Sequence, residues 1–121
     1  SPFTPVEYQG QHYIIPQCNN SYIFPGFGLA VVAGGVTRVS DEMLIVASEQ
    51  LAQASPILKS GQGALLPPLT EIANLSKKMA FAISKIGQQQ GVAPKMMDAD
   101  LIAAIEEQFW QPSYRKYTRV I

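Results

Sequence analysis

Charge is scarce in this chain: only 15% of its 121 residues are Asp, Glu, Lys or Arg, and nine basic residues balance nine acidic ones. The basic residues are scattered, so no stripe follows a phosphate backbone and nucleic acid is excluded as a partner. The adjacent Lys77 and Lys78 read as the solvated face of a helix. A single cysteine, Cys18, excludes an internal disulfide and points to a reducing, cytoplasmic setting. As a small semi-buried side chain it is expected to be inert. A single histidine, His12, leaves nothing to complete a nucleophile–base arrangement. Long apolar runs are missing too. The longest, over 22–36, is broken by Pro25 and four glycines, which excludes a membrane span. The first residues, SPFTPVEYQG, have neither the basic nor the apolar region of a signal peptide.

What is present is apolar: 47% of the residues, an ordinary share for a globular domain. Ordinary apolar content with little charge predicts that part of the surface faces protein rather than water. The length fits one domain or one piece of a larger protein. Ser1, with no Met before it, opens at once into a proline-interrupted segment and reads as a cut inside a longer chain.

The pattern along the chain predicts a short hairpin and four helices. Val6-Glu7-Tyr8 and His12-Tyr13-Ile14 flank the turn Gln9-Gly10-Gln11. A first helix runs from Pro25 to Gly34, apolar on every side and therefore expected to be buried all round. Three amphipathic helices cannot cover it, so a sheet outside this sequence is expected against it. Ser40 caps a second helix with Leu44, Ala47, Leu51 and Ala54 on its inner face, ending at Pro56. A loop, SGQGALLPP, follows. The third helix carries Ile72, Leu75, Met79, Ala82 and Ile86 inward and stops at Gly91. Asp98 is expected to cap the fourth, which turns Leu101, Ile102, Ile105 and Phe109 inward.

Few residues carry chemistry. Asp98 and Asp100 do not share a helix face, and no metal-ligand spacing exists elsewhere. Gly26-Phe27-Gly28 begins like a dinucleotide fingerprint, but its third glycine position is Val31 and no long strand precedes it. The unusual feature is QCNNSYIFPG, where Asn19 and Asn20 stand before the most apolar segment. One reading makes them a cap or turn for the helix that follows. The other points their carboxamides into a cleft, where an amide offers donors and acceptors without charge. Residue types alone leave both open.

The segment CNNSYIFPGFGLAVVAGGVTRVSDEML resembles the NN-x-YIFPG region of malic enzymes, with its glycine-rich helix and SD-type cap. Ser1-Pro2-Phe3, Leu66-Pro67-Pro68-Leu69 and Trp110-Gln111-Pro112-Ser113-Tyr114-Arg115 are similar to further motifs of bacterial members, in the same order. The resemblance implies an α/β fold, with residues 1–121 forming the C-terminal part of a Rossmann-like NAD(P)-binding domain. It implies oxidation of L-malate with NAD or NADP, then decarboxylation to pyruvate assisted by Mn²⁺ or Mg²⁺. It also implies a homo-oligomer, dimer or tetramer. Carried over by residue, Asn20 and Asn19 bind substrate, and Asn19 and, more weakly, Ser1 lie by the cofactor. The family's catalytic tyrosine and lysine, its acidic metal ligands and its nucleotide loop have no match here, so this chain alone is expected to be inactive. A malolactic enzyme shares these motifs, and a non-catalytic helical module is the alternative from another class.

Overall fold

The computed structural model describes residues 3–120. Two strands, β1 (Val6–Tyr8) and β2 (Gln11–Tyr13), pair antiparallel with Val6 opposite Tyr13 and Tyr8 opposite Gln11. The loop is two residues, not three. Gln9 and Gly10 both take positive φ (50° and 75°), the mirror-type turn that matches strand twist, and this draws Gln11 into the second strand. All six strand residues are exposed.

A 3-10 turn over Asn20–Tyr22 leads into α1 (Phe24–Gly34), with Pro25 in its first turn where a missing N–H costs nothing. Gly35 ends it at φ 68°. Then come α2 (Asp41–Gln53), short α3 (Pro56–Ser60), a 3-10 turn (Leu69–Glu71), α4 (Ile72–Gln90) and α5 (Asp98–Gln108). Pro56 therefore stops α2 and starts α3, because its fixed φ suits a first helical residue; α3 fills the stretch between the expected end of the second helix and the loop that begins at Ser60.

The core is organised on α4, which packs against α1, α2 and α5. Being flanked by three helices widens its buried stripe to Leu75, Ser76, Met79, Ala80, Ile83, Ser84 and Gly87, while the expected Ala82 and Ile86 are only half-buried. On α2 the buried pair is Met43 and Ala47, and Leu44 turns outward. Ser40 caps α2 as expected, its hydroxyl accepting from the Met43 N–H. The Glu42 carboxyl is held below its usual range by its own backbone N–H, then by the Ser40 hydroxyl and the Gln90 amide. A lowered value means that the contribution of this turn is present at neutral pH and lost as pH falls through it. Met97, not Asp98, occupies the cap position of α5. Asp98 is instead the first helical residue, where its charge still suits the dipole, and it pairs with Lys85 at 2.7 Å. Lys77 is not plain surface: it meets Glu106 at 2.6 Å and lies over the Phe109 ring.

Helix α1 is buried on one side only. Gly26, Leu29, Ala30 and Gly34 face inward, while Phe24, Val31 and Val32 stay exposed because α4 and α5 reach one face. The approach to α4 is close at two points. A Cβ on Gly26 would lie 2.6 Å from Met79 Sδ, and one on Gly34 would lie 2.0 Å from Ser84 Oγ. Residue numbers rise together on both helices at these contacts, so α1 and α4 run parallel. Residues 109–120 carry no helix or strand, and Tyr114 and Tyr117 are exposed.

The contact at Gly34 yields a paired test. Gly34→Ala forces a methyl against a buried hydroxyl and is expected to lower unfolding stability by about 1–3 kcal/mol. Ser84→Ala removes that hydroxyl, which has no partner among the described residues, and should leave stability unchanged or raise it by up to about 1 kcal/mol. Urea midpoints of the two variants measure both effects.

Candidate functional site

The two asparagines do different things. Asn19 is extended (φ −139°, ψ 172°) and caps the 3-10 turn, its Oδ1 accepting from the Ser21 N–H at 2.8 Å and from the Ser21 hydroxyl. Asparagine suits this place because its short amide reaches the N–H two residues on. Asn20 opens the turn itself, and its backbone carbonyl accepts from the Ile23 N–H at 3.1 Å. Its side chain is exposed, and among the described residues no hydrogen bond engages its carboxamide. The cap and the free amide are thus separate residues, and the cap reading holds for Asn19.

The turn is tied down by a residue that sequence reading passed over. Tyr22, 3% exposed, donates from its hydroxyl to the Pro67 carbonyl at 2.6 Å. Burial pushes the Tyr22 phenol above its ordinary value, and the charge of Cys18 adds in the same direction, so it stays a neutral donor at neutral pH. A signal for it was present: a buried tyrosine must find a partner for its hydroxyl. Nothing in the sequence says that the partner lies 45 residues away.

The remaining positions are quickly placed. Ser1 lies outside the described residues. Cys18 is exposed rather than semi-buried, because the segment 14–19 has no regular structure over it. His12 is exposed and lies 3.8 Å from Glu7, its partner across the hairpin. Gly26-Phe27-Gly28 sits inside α1 with Gly26 packed on Met79, not in a phosphate-binding loop. Among the described residues no three His, Cys, Asp or Glu side chains come together as a metal site, and no helix is long and apolar enough to cross a membrane.

An apolar groove of about 550 Å³ runs between α1, the start of α4 and the end of α5, lined by Pro25, Gly28, Val32, Ile72, Phe109 and Trp110 among others. Neither asparagine lines it, and its walls offer little to orient a small polar acid. Asn20 and Asn19 therefore stand as the site candidates, on a turn fixed between α1 and the segment before α4.

Residues 1–88 match the family described as malic enzyme, NAD binding domain. The chain is 57% identical over 119 residues to an NAD-dependent malic enzyme of Colwellia psychrerythraea, covering 98% of this chain and 21% of that protein. Also over 119 residues, it is 56% identical to an NAD-dependent malic enzyme of Vibrio parahaemolyticus and 54% to one of Cronobacter sakazakii, again covering 98% of this chain and 21% of each relative. The chain thus spans about a fifth of the length of the curated relatives it matches. With 88 of 121 residues matched and helices α1 and α2 inside that match, the chain belongs to the malic enzyme NAD-binding domain family.

Proposed function

We propose that residues 1–121 are the C-terminal part of the NAD-binding domain of an NAD-dependent malic enzyme, and that Asn20 orients L-malate in it. The observation that carries this reading is the exposed carboxamide of Asn20, free of protein hydrogen bonds among the described residues, beside an Asn19 whose side-chain oxygen is engaged as a cap. Its NH₂ group can donate to a malate carboxylate, and its oxygen can accept from an amide such as that of nicotinamide. The amide is neutral, so it directs the substrate without placing charge beside the carbon that loses hydride. NAD, when bound by the rest of the domain, supplies the hydride acceptor. Asn19 acts on the cofactor side through the shape of the turn it caps, and Ser1 is a weaker member of that side.

These residues bind and orient; they hold no acid or base placed to move a proton. The divalent metal implied by the resemblance has no donor set among the described residues. Its ligands are assigned to the part of the enzyme outside this chain, and the chain alone is expected to be inactive. The names of the relatives support malate and NAD as the reactants. The exposed apolar residues Phe24, Val31 and Val32 on α1 and Leu44 and Ile45 on α2 support burial against the remaining sheet of the domain or other subunits of a homo-oligomer. The lone exposed thiol of Cys18 suits a reducing cytoplasm.

In the full-length enzyme, Asn20→Ala is expected to lower kcat/KM for malate roughly ten- to a thousandfold, as for the loss of one or two positioned hydrogen bonds. Asn20→Asp keeps the shape but sets a carboxylate against a carboxylate, and should raise the malate KM by at least about tenfold. Steady-state kinetics with malate as the varied substrate decide both. A kcat/KM unchanged in Asn20→Ala would remove Asn20 from the site.

A further inference from the structure

We infer that Tyr22 is a positioning residue of this site: its bond to Pro67 holds the asparagine turn in place, and so aims Asn20. This rests on the reading of Asn20 given above. The Asn20 carboxamide makes no hydrogen bond among the described residues, so the protein directs it only through the backbone from which the side chain departs. That backbone belongs to a single 3-10 turn which Asn20 opens and Tyr22 closes.

The cap from Asn19 to Ser21 shapes the turn but spans only two residues, so it cannot place the turn relative to the rest of the molecule. Nor does the chain entering it, since residues 14–18 have no regular structure. On its far side the turn runs into α1 and the Tyr22 ring packs in the core, and to this non-directional packing the phenol adds a directional tie. Among the described residues it is the one hydrogen bond that joins 17–23 to a distant part of the chain. It is also buried, where water does not compete.

The far end of the bond is itself rigid. Pro67 is fully buried, and Pro68 fixes the backbone that follows as it leads into the turn before α4. Proline has no N–H, so the Pro67 carbonyl is the only polar group that residue brings to the contact. Losing the phenol hydroxyl would leave that carbonyl buried without a partner and free the turn to shift. Catalysis is sensitive to such shifts, because reacting atoms must be held near contact distance.

The test is a double-mutant cycle in the full-length enzyme, using Tyr22→Phe, Asn20→Ala and the pair together. Tyr22→Phe keeps the ring and removes only the hydroxyl. It is expected to lower kcat/KM for malate about tenfold while the KM for NAD changes less than about twofold. If Tyr22 acts through Asn20, the double variant should match Asn20→Ala within about twofold. Ile105→Val, a core trim on α5 remote from the turn, is the stability control and should leave kcat/KM unchanged.

Multiplying losses in the double variant, a silent Tyr22→Phe, or an equal loss in Ile105→Val would each overturn the positioning role. In those cases a large effect of Asn20→Ala keeps the reading of Asn20 intact. A silent Asn20→Ala would overturn both.

Discussion

The close approach of α1 to α4 governs the rest of this structure. Gly26 and Gly34 remove the side chains that would hold the two helices apart, and Met79 and Ser84 occupy the space left. Because the helices run parallel, their N-terminal ends lie together. That brings the turn before α1 beside the prolines before α4, and only then can the Tyr22 hydroxyl reach the Pro67 carbonyl at 2.6 Å. A bulkier residue at either glycine would act at a distance on the asparagine turn, by displacing the helix on which it rests. The functional candidates and the packing of the core are thus one problem.

This arrangement accounts for two amides at the entrance to an apolar segment. A 3-10 turn needs its first N–H groups satisfied, and Asn19 does this with its own side chain. Asn20 then carries no structural duty beyond its backbone. Its side chain is solvent-facing, so it pays no desolvation penalty for lacking a protein partner. Polar residues at this doorway conflict with burial only if both must be buried, and neither is.

Much of the fold was legible because the signals are local. Ser40 before Asp41 and Glu42, Pro25 at a helix start and Gly91 at a helix end each act through their own backbone, and each lies where the sequence places it. The inner face of α4 was legible only in part. Its periodicity identifies a helix, but how wide a stripe is buried depends on how many neighbours it has, and Ile83 and Ala80 are buried by neighbours far along the chain. Asp98 illustrates a different ambiguity: an aspartate favours the cap and the first helical residue alike, and the ion pair with Lys85 goes with the second. At the site, asparagine type and position singled out Asn19 and Asn20, but not which one caps. Tyr22 and Pro67 stood in separate motifs, and only the fold joins them.

The low charge of the chain finds its counterpart on the surface. Phe24, Val31 and Val32 on α1, with Leu44 and Ile45 on α2, leave apolar area facing outward that a free-standing domain would normally cover or replace with charge. Phe24 follows the turn directly, and the others lie further along α1 and on α2. The division has a physical logic. A substrate with carboxylates needs a solvated entrance and donors that are not already satisfied, whereas a packing face needs apolar area without unpaired donors. On the role proposed for Asn20, its place on the exposed turn rather than on α1 keeps the two requirements apart.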